Sequence, residues 1–370
     1  MRGQIFVEGD NRLHALSESE YEAEEKLQSL LEEYPDLLAG EQISEQEPRR
    51  WIQIDREYGI SDDEESSRRW AVDHFFLDQD GVPTLVEVKQ GSNSNLRRKV
   101  VGQMMDYAAN AVRYGDVSSI RRQFHERQED PDAILKKRLD ISEPETYWSS
   151  VQENLERGEV RMVFVADDIP SELRRIVEFL NEQMAPAEVL ALSVKQYTGD
   201  DLKTFVPRVI GQTAAAEKKK GKSTRSGKKY QFYDDLLAVT NRHTTQFREV
   251  VPKNQNEIRT TSGEGFSFRY LLSRLKTKAQ FYIDFGGDEK NKRAFEVFRK
   301  YRDEVENQVD EPLKWIEDDS RRRAIGFVVE GGYETEGSWE ETHERLAKGI
   351  AQLEKAVTPF REEVQEVVGE

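Results

Sequence analysis

Asp73, Glu87 and Lys89 are the residues whose types and spacing could do chemistry in this chain. They lie in the segment Trp70-Ala-Val-Asp-His-Phe-Phe-Leu-Asp-Gln-Asp-Gly-Val-Pro-Thr-Leu-Val-Glu-Val-Lys89. Two apolar runs flank Asp78-Gln79-Asp80-Gly81, so the segment predicts two strands joined by a turn. Glu87 and Lys89 are two apart and share one face of the second strand. The hairpin can bring Asp73 beside them. Two carboxylates and one ammonium held within a few ångströms are costly unless a divalent cation neutralises the acids. Such a cluster suits metal-assisted phosphodiester hydrolysis. The plainer alternative is a hairpin with solvated charges on its outer face. Against it, Val72, Phe75, Phe76, Leu77, Val82, Leu85, Val86 and Val88 predict strands buried on at least one side.

The elements that follow could hold such a cluster in place. A helix is predicted from about Leu96 to Val112, with Val100, Val101, Met104, Met105, Ala108, Ala109 and Val112 as its apolar stripe. Lys99, Gln103 and Tyr107 recur along one face of it. Upstream, Glu24 to Leu38 predicts a helix that closes near Pro35 and faces a core with Leu27, Leu30 and Leu31. Downstream, Val160–Ala166 predicts a buried strand, Leu173 to Leu180 a helix, and Val189–Tyr197 another strand. Strand, helix and strand with short links imply a right-handed parallel crossover.

The Asp73…Glu87-Val88-Lys89 pattern resembles the PD-(D/E)xK nuclease superfamily, which includes restriction endonucleases, junction resolvases and RecB-like exonucleases. The resemblance covers roughly residues 15 to 205. It implies an α/β, restriction-endonuclease-like mixed sheet flanked by helices. It also implies Mg²⁺ or Mn²⁺ held by Asp73, Glu87 and the Val88 carbonyl, with Lys89 serving the reaction. Gln103 and Tyr107 match a Gln-x-x-x-Tyr pair that RecB-like members carry near the scissile phosphate. A glutamate on the opening helix helps to hold metal in that family. Glu24 is the matching position, with Glu25 close behind. The implied activity is a metal-dependent deoxyribonuclease, as an endonuclease acting in defence against foreign DNA or in repair. The alternative is a non-catalytic nucleic-acid-binding or assembly subunit that keeps the fold.

The chain has 370 residues and a net charge of −17, with no cysteine. That length predicts two domains. The missing cysteines exclude disulfides, thiolate-held zinc and a cysteine nucleophile. No long apolar run predicts a membrane span, and no signal peptide is evident at the start, so a cytoplasmic protein is expected. The acidic balance argues against a generic nucleic-acid coat but leaves local basic patches to bind phosphates. Arg97, Arg98 and Lys99 are the candidate DNA contacts nearest the site, with Arg68-Arg69 a second flanking cluster. A homodimer or a larger defence or repair complex stays open as a partner, since no interface is marked.

Residues 1–210 are thus expected to form the nuclease-like domain and 211–229, rich in Lys, Gly and Ser, a basic flexible linker. Residues 230–370 predict an α+β domain of unknown function, with substrate or partner recognition as its candidate role. Its strands are expected at Gly265–Leu272, Ala279–Phe285 and Ala324–Glu330. This half resembles an uncharacterised domain that recurs at the C-terminus of nuclease-like proteins. The shared points are its opening aromatic helix, the Leu313-Lys-Trp segment and Arg321-Arg-Arg323.

Overall fold

The computed structural model describes residues 4–9, 12–45, 47–60, 70–89, 97–141, 143–199, 202–213, 222–252, 256–260, 265–317 and 323–369. They form two compact units, Met1–Lys222 and Ser223–Glu370.

The first unit opens with a hairpin, β1 (Gln4–Gly9) and β2 (Arg12–Ser19). Helix α1 (Glu24–Glu33) and the short turn α2 (Gly40–Ile43) lead to a meander of β3 (Trp51–Ile60), β4 (Trp70–Asp78) and β5 (Pro83–Val88). Helices α3 (Arg97–Tyr114), α4 (Val117–Arg127), α5 (Pro131–Ile134) and α6 (Pro144–Glu156) follow. The unit closes with β6 (Arg161–Ala166), α7 (Ser171–Gln183), β7 (Glu188–Gly199) and β8 (Leu202–Ile210). The strands make one eight-stranded mixed sheet in the order β1-β2-β7-β6-β5-β4-β3, with β8 also paired to β7. β5, β6 and β7 run parallel, joined by the expected crossover through α7.

The central strands are buried on both faces, so they read as continuous apolar runs rather than as alternation. Phe75, Leu77, Leu85 and Phe164 point into a core with Met104, Ala108, Phe124, Trp148 and Val177 of the helices. Phe76, Val86, Val88 and Val163 point into another, with Leu27, Leu30 and Leu31 of α1. Helices therefore cover both faces, which is the coarse α/β arrangement expected.

The β4–β5 turn is fixed from within. Asp78, fully buried, accepts the backbone N–H groups of Asp80 at 3.0 Å and Val82 at 2.9 Å. Its other oxygen meets the Arg161 guanidinium at 3.0 Å, and Arg161 also donates to Glu188 at 2.7 Å. Gly81 takes φ 71°, and a Cβ there would sit 3.0 Å from Val151, so the turn needs glycine.

The second unit has helix α8 (Lys222–His243), strands β9 (Glu257–Arg259), β10 (Phe266–Leu272) and β11 (Lys276–Ile283), and helices α9 (Asp288–Lys300) and α10 (Arg302–Glu306). Strands β12 (Lys314–Glu317) and β13 (Arg323–Glu330) and helices α11 (Trp339–Val357) and α12 (Arg361–Gly369) complete it. Its sheet is antiparallel throughout, in the order β12-β13-β11-β10-β9. The Leu313-Lys-Trp segment supplies the edge strand β12. The strand expected at Ala279–Phe285 begins earlier, at Lys276, because Lys276 to Ile283 all pair with β13.

The expected linker 211–229 is shorter than its composition suggested. At one end, Gly211 accepts from Asn181 at 2.7 Å and Thr213 donates to Glu182 at 2.9 Å, which ties these residues to the first unit. At the other, residues 222–229 belong to α8, where Lys229 is buried with its ammonium 5.5 Å from the Tyr333 ring centre. Residues 214–221 lie outside the described residues. Among the described residues no helix is long and apolar enough to cross a membrane.

Candidate active site

The site lies where β5 ends, between α1 and α3. Ligands of open α/β sheets commonly bind off the carboxyl ends of parallel strands, and β5 is paired in parallel with β6 there. β4 and β5 pair antiparallel through His74↔Val86, so Asp73 and Glu87 come one step further along the same ladder. Asp73 accepts the Val88 backbone N–H at 2.7 Å, which locks its carboxylate across the strand pair. The Lys89 N–H continues the parallel ladder to the Val165 carbonyl at 2.8 Å, so the lysine is held at its root.

Three carboxylates converge on the Lys89 ammonium. Nζ is 3.1 Å from Glu87, 3.4 Å from Asp73 and 3.1 Å from Glu24, and it donates to the Val88 carbonyl at 2.7 Å. Of the two neighbouring acids on α1, it is Glu24 that reaches the cluster. Glu25 pairs with Arg56 of β3. The same guanidinium donates to Gln28 at 3.0 Å and to Glu32 at 3.3 Å. Arg56 therefore clamps α1 along successive turns and sets where Glu24 points. No motif marks Arg56 in the sequence, because its role depends on β3 lying beneath α1.

On α3, the Gln103 amide donates to the Tyr107 hydroxyl, and that hydroxyl donates to the Ala71 carbonyl at 2.9 Å. Tyr107 is 1 % exposed. The pair thus braces α3 against β4, close enough that the charges of Glu87 and Asp73 act on the phenol. Burial first, then those charges, raise the Tyr107 pKa, while the Gln103 bond opposes them. Lys99 is exposed near the start of α3, whereas the side chains of Arg97 and Arg98 and all of Arg68-Arg69 lie outside the described residues.

The electrostatics are those of a crowded acidic pocket. Glu87 is 2 % exposed, and its Oε2 is buried with no hydrogen-bond partner. Burial, and then the Asp73 charge, push its carboxyl from 4.5 up to about 7, although Lys89 pulls the other way. Burial would lower the Lys89 pKa, but Glu87, Asp73 and Glu24 outweigh it and the net shift is upward. Among the described residues no group of three or more His, Asp or Glu forms a ready cage for a metal ion. The cation at the centre of these acids is Lys89. The donor set nonetheless fits a hard divalent ion, since it offers the Asp73 and Glu87 carboxylates, the Val88 carbonyl and an orphaned buried oxygen.

This arrangement has a signature in stability. A carboxyl whose folded pKa lies above its unfolded value stabilises the fold fully below the unfolded pKa. That contribution is lost as pH rises through the folded pKa. For Glu87 the window is from 4.5 to about 7, worth about 3 kcal/mol. Urea unfolding in EDTA should show the stability of wild type falling relative to Glu87→Gln across this window. A constant difference between the two proteins would contradict the assignment.

Residues 228–361 match the family model of a domain of unknown function, DUF4268. The DUF4268 match falls on the second unit and agrees with the expected uncharacterised C-terminal domain. No curated protein and no solved structure matches the chain.

Proposed function

We propose that the first unit is a metal-dependent deoxyribonuclease with a restriction-endonuclease-like core. The observation that carries this reading is the convergence of Glu24, Asp73 and Glu87 on Lys89 at the end of β5, with one buried oxygen of Glu87 left without a partner. A buried carboxylate oxygen without a hydrogen-bond partner is costly, and a divalent cation would offset that cost. Asp73, Glu87 and the Val88 carbonyl would hold Mg²⁺ or Mn²⁺, with Glu24 available to a second ion. When bound, the ion supplies charge neutralisation at the phosphate and acidifies water. Lys89 then faces the phosphate oxygens and stabilises charge that develops there. Gln103 and Tyr107 hold α3 and β4 in register, so the carboxylates keep their separation. Arg56 does the same for α1.

A second reading, a nucleic-acid-binding or assembly subunit with the same core, draws on the ammonium already seated among the acids. Incubation with supercoiled plasmid and with labelled single-stranded DNA separates the two. The nuclease reading expects cutting with Mg²⁺ or Mn²⁺ and none with EDTA. DNA binding without cutting in either metal would favour the second.

A further inference from the structure

Among the described residues, strands β3, β8 and β1 of the first unit each have one side without a neighbouring strand. Two of these edges are blunted. β3 changes register between Gln53 and Asp55 and turns Glu57 to φ 54°, while Asp55 is held by Arg127 and Gln123 of α4. β8 carries Pro207, and Gln42 of α2 lies along its edge. That side chain accepts the Val209 N–H at 2.9 Å and donates to the Pro207 carbonyl at 3.0 Å. Bulges, proline and covering groups are the usual means of keeping a strand edge from pairing with another chain.

β1 has none of them. Its residues, Gln-Ile-Phe-Val-Glu-Gly, pair with β2 in unbroken register. They include no proline, lysine or arginine, and Glu8 is their one charge. Alternate residues of a strand turn their N–H and C=O groups away from the strand they pair with. Among the described residues, no hydrogen bond or ion pair reaches residues 4–8 except from β2. Phe6 is 63 % exposed, and Leu13, on the same face of the hairpin, is 68 % exposed. The hairpin also sits at a telling place. β6 pairs with β7 up to Ser193, and β2 takes over the same edge of β7 from Gln196, because β8 fills the other edge over 191–199. The hairpin therefore lies off the carboxyl end of β6, the end of the sheet that carries the candidate site.

We propose that β1 is a dimer interface, pairing antiparallel with β1 of a second copy of this chain about a two-fold axis through Phe6. An open strand edge is a template for another strand. Main-chain bonds give such a contact its affinity, and the facing side chains give it choice. Here the side chains choose a second copy. Centring on Phe6 sets Phe6 opposite its own copy, and sets Ile5 opposite Val7 and Gln4 opposite Glu8, each twice. Aromatic and β-branched pairs of this kind stabilise neighbouring strands. The Gln4 amide meets the Glu8 carboxylate, so the one charge of the strand faces a donor. Centring on Glu8 would set two acids face to face, which destabilises a strand pair. A chain of net charge −17 repels its own copy, so self-association needs a nearly uncharged contact, and β1 supplies one. β1 runs parallel to β5, β6 and β7. The two-fold therefore turns the site-bearing ends of the two sheets toward each other. The inference does not depend on the activity proposed for those sites.

The test is sedimentation equilibrium of the full chain in EDTA over a concentration series, with circular dichroism showing each variant folded. Wild type should approach twice the 43.0 kDa of one chain. Phe6→Lys sets two ammonium groups face to face on the axis and should keep the mass of one chain throughout. Gln4→Glu sets like charges opposite at both ends of the pairing and should raise the dimer Kd about tenfold. Gln4→Lys sets opposite charges there and should lower it by about as much. A wild type that keeps the mass of one chain overturns the proposal and leaves the edge to a strand of a different protein. Phe6→Lys dimerising as tightly as wild type also overturns it, and so does an equal Kd for the two Gln4 variants. Neither metal nor DNA is present in this readout. A dimer that does not cut fails the nuclease reading alone, and a chain that cuts as a monomer fails this one alone.

Discussion

Lys89→Ala is expected to lower metal-dependent cleavage by on the order of 10³-fold while leaving Mn²⁺ binding at least as tight as in wild type. The two effects separate because Lys89 has two kinds of neighbour. Toward substrate, its ammonium is a preorganised charge, and removing one such group from a reacting centre costs about 10²–10³ in rate. Toward the protein, the same ammonium neutralises Glu24, Asp73 and Glu87. Without it the three carboxylates repel one another, and a divalent ion is the natural replacement. Asp73→Ala and Glu87→Ala, by contrast, should lose both cleavage and Mn²⁺ binding, because each removes a donor. Calorimetric titration with Mn²⁺, run beside plasmid cleavage, reads both quantities. Wild-type cutting by Lys89→Ala would remove the lysine from the mechanism. Wild-type Mn²⁺ binding by Asp73→Ala and Glu87→Ala would remove the metal site.

Asp78→Ala should cost about 3–5 kcal/mol of stability, a large part of the 5–15 kcal/mol typical of a folded domain. Asp78 is fully buried and Arg161 nearly so, and the substitution leaves that guanidinium only Glu188 and the Thr84 hydroxyl of the three side chains it donates to. It also removes the acceptor for two backbone N–H groups of the turn. Arg161→Met should cost a similar amount, since it takes from Asp78 and Glu188 the buried cation they share. Asp78 is five residues along β4 from Asp73, about 16 Å for an extended strand, so the loss is one of fold rather than of site. Urea unfolding at fixed pH measures it. A midpoint within experimental error of wild type for either variant would mean that the buried pair contributes nothing net.

The sequence by itself determined the pieces whose logic is local. The β4–β5 hairpin follows from two apolar runs around Asp78-Gln79-Asp80-Gly81. The two-residue alternation then forces Glu87 and Lys89 onto one face. The apolar stripe of α3 and the short links around α7 are equally local, and they yielded the parallel crossover. Tertiary structure decided what depends on partners distant in the chain. Neither β3 nor the β1–β2 hairpin announces itself, because both draw their order from pairing with strands elsewhere. The choice of Glu24 over Glu25 was made by Arg56, which lies on another element and reaches α1 only once β3 is in the sheet. Tyr107 matched a motif, yet its hydroxyl is directed at Ala71 because α3 packs flat on β4. Periodicity within an element is written in adjacent residues, whereas the register between elements is fixed by how their cores pack.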